Sequence, residues 1–194
     1  MRRRGVALGL RAAAVAGYAF LYLPLVIVVV YSFNDSRLNA EWVGFTLGWY
    51  RTLFADADML AAARNSLVIG VAASLVSTVL GTMAGFAMYR WKTRLLPILV
   101  LTPIAIPEIL VGVSLLIFFV LLNFTLGLVS VALAHIAFCI GFVAIVVRAR
   151  MAGMDESLTE AARDCGASPW QAFRHVTLPL IMPGVIAGAL MAFT

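Results

Sequence analysis

The chain has 194 residues, 63% of them hydrophobic and only 12% charged, with a formal net charge of +5. A mean hydropathy of +1.04 lies outside the range of a water-soluble domain and puts the chain in a bilayer. The fourteen Lys and Arg residues stand in small groups beside apolar runs, as membrane topology signals do, which argues against a nucleic-acid partner.

A spanning helix needs about 20 apolar residues at 1.5 Å of rise each. Residues 12–33 supply 22 positions without a charge. The opening "MRRR" before an apolar run also fits a secretory signal, but the run is longer than a signal's apolar region, so we read a retained first span. Within the outer loop 34–64, "FTLGWYRTLF" sets Leu47, Tyr50, Leu53 and Phe54 on one side of a short helix beside Trp49, as an aromatic belt at the interface would. Residues 65–89 form the second uncharged span. The third starts at Leu95, and after Glu108 no charge occurs until Arg148, 39 residues that would make one helix roughly 58 Å long, about twice the hydrocarbon thickness. The chain therefore turns back, at "NFTLG" (123–127), giving spans 95–121 and 128–147. A fifth apolar segment, 180–194, is shorter than a full crossing and is expected to be incomplete. Cys139 in an apolar run and Cys165 in a charged one cannot build a disulfide framework and are read as free thiols in packed helix faces. Gly81 with Gly85, and Gly184 with Gly188, have the GxxxG spacing that lets helices pack closely.

Residues 1–11, 90–94 and 148–179 hold eleven of the fourteen basic residues. An even number of spans separates these groups, so they share the cytoplasmic face. The amino terminus and residues 148–179 are thus expected in the cytoplasm, and the outer loop 34–64 outside.

The cytoplasmic insert 148–179 reads as two short helices around a glycine. "SLTE" (157–160) has the spacing of a capping box, with Ser157 and Glu160 satisfying free amides. Leu158, Ala161, Ala162 and Cys165 give a slim apolar stripe. Gly166 can take the left-handed conformation that ends a helix, and Ser168 with Pro169 caps and starts the next. Trp170, Phe173 and Val176 form a second ridge, until Pro179 and Pro183 interrupt it. Such helices could lie on the bilayer, but Asp155, Glu156, Glu160 and Asp164 would be repelled by anionic lipid, and a protein socket suits them better.

Glu160, Ala161 and Ala162, then Gly166 after three residues, then Val176, Leu178 and Pro179 after nine more, resemble the EAA motif of ATP-binding-cassette (ABC) import permeases. Val176 stands where isoleucine is usual. The resemblance implies that this loop is the coupling helix that docks into a cleft of the ATPase subunit and transmits its closure to the pore. "YLPLVIVVVYSFNDSR" (22–37), "WVGFTLGWYRTLF" (42–54) and "LAHIAFCIGFV" (133–143) are similar to spermidine/putrescine import permeases, and the likeness covers essentially the whole chain.

The resemblance implies an all-α integral membrane fold of the ABC import type in a bacterial inner membrane, one half of a translocation pore. Its partners would be a second permease subunit, two ATPase subunits, an extracytoplasmic solute-binding protein, which the outer helix would then contact, and membrane lipid. Family members have six spans, so the pattern is expected to continue past Thr194. Gly141 replaces a proline common in the family, which would loosen that helix. Permeases for iron, sulfate or sugar-like solutes share the loop, and a passive channel or carrier is the alternative from another class. Substrate-stimulated ATP hydrolysis separates a coupled importer from a passive one.

Glu108, in "TPIAIPEIL", is the one acid inside a span, about 14 residues from Arg94 and roughly 21 Å deep if helical. Pro103 and Pro107 before it break the backbone ladder. Two roles stand for it: an acceptor for the ammonium groups of a cationic substrate, or a cap for the freed amides or a group near the outer interface. His135, in the fourth span, is read as a hydrogen-bonded packing residue rather than a relay. No second histidine or paired cysteine stands at ligand spacing, so no metal is expected. No GxxxxGK loop is present, so ATP would bind another subunit and this chain would hold no cofactor and be no enzyme.

Overall fold

The computed structural model describes residues 2–38, 41–91 and 93–194. Met1, Asn39, Ala40 and Lys92, which fall in the predicted amino-terminal, outer and 90–94 segments, lie outside the described residues. The chain divides into two compact units, Met1–Ala62 and Ala63–Thr194.

The first unit opens on α1 (Arg2–Tyr31), whose stretch Gly9–Tyr31 is long and apolar enough to cross a membrane. Its apolar side chains are exposed along the whole stretch, as suits a helix solvated by lipid. The loop after it is tied down by Asn34, whose side chain is 0% exposed. Asn34 Nδ2 donates to Glu41 O at 2.7 Å and its Oδ1 accepts from Val43 N at 2.8 Å, so one amide replaces the backbone partners that an irregular loop lacks. The short helix α2 (Gly48–Ala55) forms where the aromatic stripe predicts one. Two of its aromatics also serve the loop itself: Trp49 Nε1 donates to Asn34 O at 2.9 Å, and the Tyr50 hydroxyl meets Ser32 Oγ at 2.7 Å. Phe33 stacks on Phe45 at 5.5 Å.

Most of α3 (Ala57–Arg90) belongs to the second unit, followed by α4 (Leu95–Ala105), α5 (Glu108–Leu121) and α6 (Leu128–Ala152). α4 and α5 meet at an angle of 105°. The break has a local cause. Ile106 precedes Pro107, whose ring pushes it out of the helical region, and it is extended at φ −91, ψ 139. The chain reverses after α5 in a Schellman turn. Asn123 is left-handed at φ 52, Asn123 N donates to Val120 O at 3.0 Å and Phe124 N to Phe119 O at 2.9 Å.

α7 (Ser157–Asp164) and α8 (Pro169–Ala172) follow, then a π-helical turn over Phe173–Thr177 that runs straight into α9 (Leu178–Phe193). The sequence reading ends the second insert helix at Pro179 and starts a new segment at 180. In the structure Pro169–Phe193 is one run of 25 residues, long and apolar enough to cross a membrane. Pro179 lacks an N–H and would clash with the turn before it in a regular helix. The wider π turn just ahead, in which Leu178 N reaches back to Phe173 O, carries the chain through. Among the described residues four helices are long and apolar enough to cross, or five if the bent pair α4–α5 is one span.

α6 lies at the centre of the second unit, and glycines set how closely its neighbours approach. A Cβ on Gly81 would sit 2.5 Å from Val143 Cβ, and one on Gly85 2.7 Å from Ala144 O. Gly81 thus faces Val143 and Gly85 faces Val147, so α3 and α6 run parallel. α9 runs antiparallel to both: Gly184 faces Arg150, Gly188 faces Val143, and Ser74 Oγ on α3 donates to Ala189 O at 2.8 Å. The core is Cys139, Val143, Val147, Met151, Ile181 and Ala192.

Gly141 does not loosen α6, which is continuous through it. The missing side chain lets α4 come close instead, since a Cβ there would lie 2.9 Å from Val100 O. Cys139 is a packed thiol as expected, but Cys165 is exposed at the end of α7. Gly85→Leu is expected to force α3 off α6, at a cost of about 1–3 kcal/mol or more. A lower thermal unfolding midpoint of the detergent-solubilised protein, and less of it in the membrane, would register the loss.

Candidate functional site

Two places gather the residues singled out by the sequence: the loop between α6 and α9, and a cavity between α3, α5, α6 and α9.

In the loop, α7 begins differently from the sequence reading. Ser157 is its first residue and not its cap, and Glu160 makes no capping box. Asp155 takes the role, its carboxylate accepting from Ser157 N at 3.0 Å, because a charged acceptor at a helix N-terminus is favoured by both hydrogen bonding and the helix dipole. The Ser157 hydroxyl and then its backbone N–H hold the Asp155 carboxyl below its ordinary value. The cap is therefore complete at neutral pH and lost only as acid protonates that carboxylate.

α7 ends in a full Schellman motif. Gly166 is left-handed at φ +90, its N donates to Arg163 O at 2.9 Å, and Ala167 N donates to Ala162 O at 3.1 Å. The next helix then starts on a true capping box. Gln171 N donates to Ser168 Oγ at 3.3 Å and Ser168 N to Gln171 Oε1 at 2.8 Å, with Pro169 at the first helical position. The S-x-x-Q spacing that signals this box was present in the sequence, and the Gln171 half of it was missed.

The motif residues divide between two surfaces. Glu160, Ala161, Gly166 and Pro179 are exposed, whereas Ala162, Val176 and Leu178 are half-buried, Leu178 against the core. The predicted stripe on α7 has no cover over most of its length: Leu158, Ala161 and Cys165 are exposed. Trp170 is 65% exposed and stacks at 5.6 Å on Phe173, which packs edge-on against Phe86 of α3 at 5.5 Å. Glu160 lines a groove of 270 Å³ together with Arg90, Glu156 and Arg163.

The loop is also bound to α3. The Tyr89 hydroxyl donates to Glu156 Oε1 across 67 residues of sequence. On the other side, Arg150 Nε donates to Leu180 O at 3.0 Å, joining α6 to α9. Nothing in the local sequence signals either contact, because each depends on how distant helices pack. The loop thus has an exposed, partly apolar tip on a base that is hydrogen-bonded to α3 and continuous with α6 and α9.

The cavity has a volume of 820 Å³. Glu108, at the first turn of α5, lines it with an exposed side chain. Leu110 N and Val111 N both donate to Pro107 O, at 2.9 and 3.2 Å, so these two amides do not need the Glu108 carboxylate as a cap. Apolar walls come from Val111, Leu115, Phe138 and Phe142, and Ser66 and Thr194 add hydroxyls. His135 is not a packed residue. It is exposed and lines this same cavity, with Nδ1 2.9 Å from Val131 O. The sequence separates Glu108 and His135 by all of α5, a turn and the start of α6, so their sharing one cavity was not legible there.

Comparison with known proteins agrees with this architecture. Residues 77–194 match the family described as binding-protein-dependent transport system inner membrane component. Over 91% of its length the chain is 39% identical to the spermidine/putrescine transport system permease protein PotC of Escherichia coli (strain K12), covering 68% of that protein. It is 37% identical over 92% of its length to the putrescine transport system permease protein PotI of the same organism, covering 67% of it. It is 36% identical to the PotC of Haemophilus influenzae, over 91% of this chain and 70% of that one. With long apolar helices packed through glycines, the chain belongs to the binding-protein-dependent transport system inner membrane components: it is a multi-pass permease subunit of an ABC importer, which works with an ATPase and a solute-binding protein.

Proposed function

We propose that the chain is one half of the translocation pore of a polyamine importer. A second permease subunit completes the pore, two ATPase subunits dock on residues 148–179, and an extracytoplasmic binding protein delivers spermidine or putrescine. The observation that carries the cargo is the Glu108 carboxylate, set into a largely apolar cavity. A polyamine is a string of ammonium groups joined by methylenes, and such a cavity offers it both an acceptor and a greasy wall. The names of the relatives point to the same substrates.

The amino terminus is read as cytoplasmic from the clustering of basic residues. Helix directions support a consistent path. Because α3 and α6 run parallel, the segment joining them has to cross the membrane once, which favours α4–α5 as a broken span over a re-entrant loop. The Tyr89–Glu156 hydrogen bond agrees, since it needs the end of α3 and the loop after α6 on one face. Discontinuous helices of this kind are tolerated where the freed backbone lines a cavity.

In this reading Glu160, Ala161, Ala162 and Gly166 form the tip of the lever, and Val176, Leu178 and Pro179 anchor its return into α9. Nucleotide-driven closure of the ATPases moves the tip, and the clamps on α3, α6 and α9 pass that movement to the cavity walls. The pore is a two-state element whose equilibrium the docked ATPase biases. The test is uptake by the assembled transporter in proteoliposomes: spermidine or putrescine, presented on the binding protein, should be taken up and should stimulate ATP hydrolysis. Stimulation by sulfate, iron or a sugar instead would reassign the cargo, and uptake without hydrolysis would indicate a passive carrier.

A further inference from the structure

We infer that His135 is a second acceptor for the cationic substrate, opposite in chemistry to Glu108 but in the same cavity; the inference rests on the polyamine reading above. His135 Nδ1 lies 2.9 Å from Val131 O. A carbonyl oxygen can only accept, so Nδ1 carries the hydrogen, and in the neutral ring the free lone pair is on Nε2. The imidazole is exposed and lines the cavity. One nitrogen is thus spent on holding the ring to its own helix, and the other is left as an acceptor.

The rest of the lining sharpens the role. The titratable side chains there are Glu108 from α5, and His135 and Cys139 from α6; α3 and α9 contribute uncharged side chains, and no Lys or Arg lines the cavity. The Cys139 thiol is directed at Ala192 O, and the Thr194 hydroxyl at Met191 O, so both donors are engaged. A substrate with ammonium groups at its two ends finds a fixed negative charge for one and an uncharged acceptor for the other, with Phe138 and Phe142 beside its methylenes. A neutral second acceptor binds an ammonium without holding it as tightly as a second carboxylate would, which suits a site that must release its cargo.

The experiment is uptake of labelled putrescine and spermidine by the assembled transporter in proteoliposomes, with KM and maximal rate followed for the parent chain, His135→Phe, His135→Leu and His135→Gln. His135→Phe should raise KM roughly tenfold with a maximal rate within about twofold of the parent. His135→Gln keeps an acceptor, so its KM should stay within about threefold of the parent. If His135→Phe lowers the maximal rate by disturbing the fold, the KM of the smaller His135→Leu set against that of His135→Gln still decides. An unchanged KM in His135→Phe and His135→Leu, or a KM in His135→Gln raised as far as theirs, overturns the inference while leaving polyamine transport standing. A parent transporter that moves no polyamine overturns both.

Discussion

Gly166→Val is expected to abolish coupled transport while the protein remains folded in the membrane. Gly166 holds φ +90 in the turn that closes α7, and a Cβ built there meets nothing within 4 Å. The penalty is therefore one of backbone conformation and not of crowding. A left-handed residue costs roughly 1–2 kcal/mol with an ordinary side chain, and a β-branched one is worse. The cheapest escape is to open the Schellman turn, freeing Ala167 N from Ala162 O and swinging the capping box at Ser168 away from α7. The core around Val143 and Ile181 is untouched by that movement. Uptake should fall by about tenfold or more, and substrate should no longer stimulate ATP hydrolysis. Gly166→Ala should lie between. Parent-like transport by Gly166→Val would mean that the sharp turn is not part of the lever.

Glu108→Gln should raise the KM for polyamine uptake by about 10–100-fold, since a hydrogen bond to a charged group contributes about 1.5–3 kcal/mol and each 1.4 kcal/mol is tenfold. Gln preserves size and an acceptor oxygen, so helix start and packing should survive, and ATPase docking should be unaffected. Glu108→Asp, which keeps the charge on a shorter stem, should recover part of the affinity. The readout is KM against maximal rate for spermidine and putrescine. An unchanged KM together with an unchanged preference between the two would place Glu108 outside the substrate pathway.

The two predictions act at opposite ends of one assembly, and they differ in how far the sequence foresaw their basis. Gly166 and Ser168–Pro169 were readable because a left-handed glycine and a capped proline are local chemistry, decided within a few residues. The break before Glu108 was readable for the same reason, as Pro107 restricts Ile106 directly. Asn123 sits left-handed inside the stretch chosen for the reversal. Where two local signals competed, the sequence could not rank them: Ser157 and Asp155 are both good caps, and the charged one prevailed. Pro179 and Pro183 look like breakers in isolation, but the π turn over Phe173–Thr177 absorbs the first, and packing against α6 keeps the helix in place. The spacing of Gly81 with Gly85 and of Gly184 with Gly188 marked close helix approach, but which helices meet was not legible. Gly141 as a docking point for α4, Tyr89 as a tether for Glu156, and His135 in the same cavity as Glu108 all follow from the way α6 is surrounded.

The coupling proposed above has a structural path in that arrangement. The lever's base is hydrogen-bonded to α3 through Glu156, while Arg150 on α6 holds α9. These helices, with α5, form the cavity's walls. A displacement at the tip therefore has a continuous, packed route to Glu108 and His135, without requiring any long-range flexibility of the chain.

The most direct test of the account is crosslinking within the assembled transporter in intact membranes. Ala161→Cys and Ala167→Cys, each in a chain whose Cys165 is replaced by serine, would be paired in turn with single cysteines around the cleft of the ATPase subunit. The account predicts efficient crosslinks from both positions, with yields that change when ATP is bound, and transport that stops when the link forms and resumes on reduction. Transporters that remain fully active while neither position ever reaches the ATPase would contradict it.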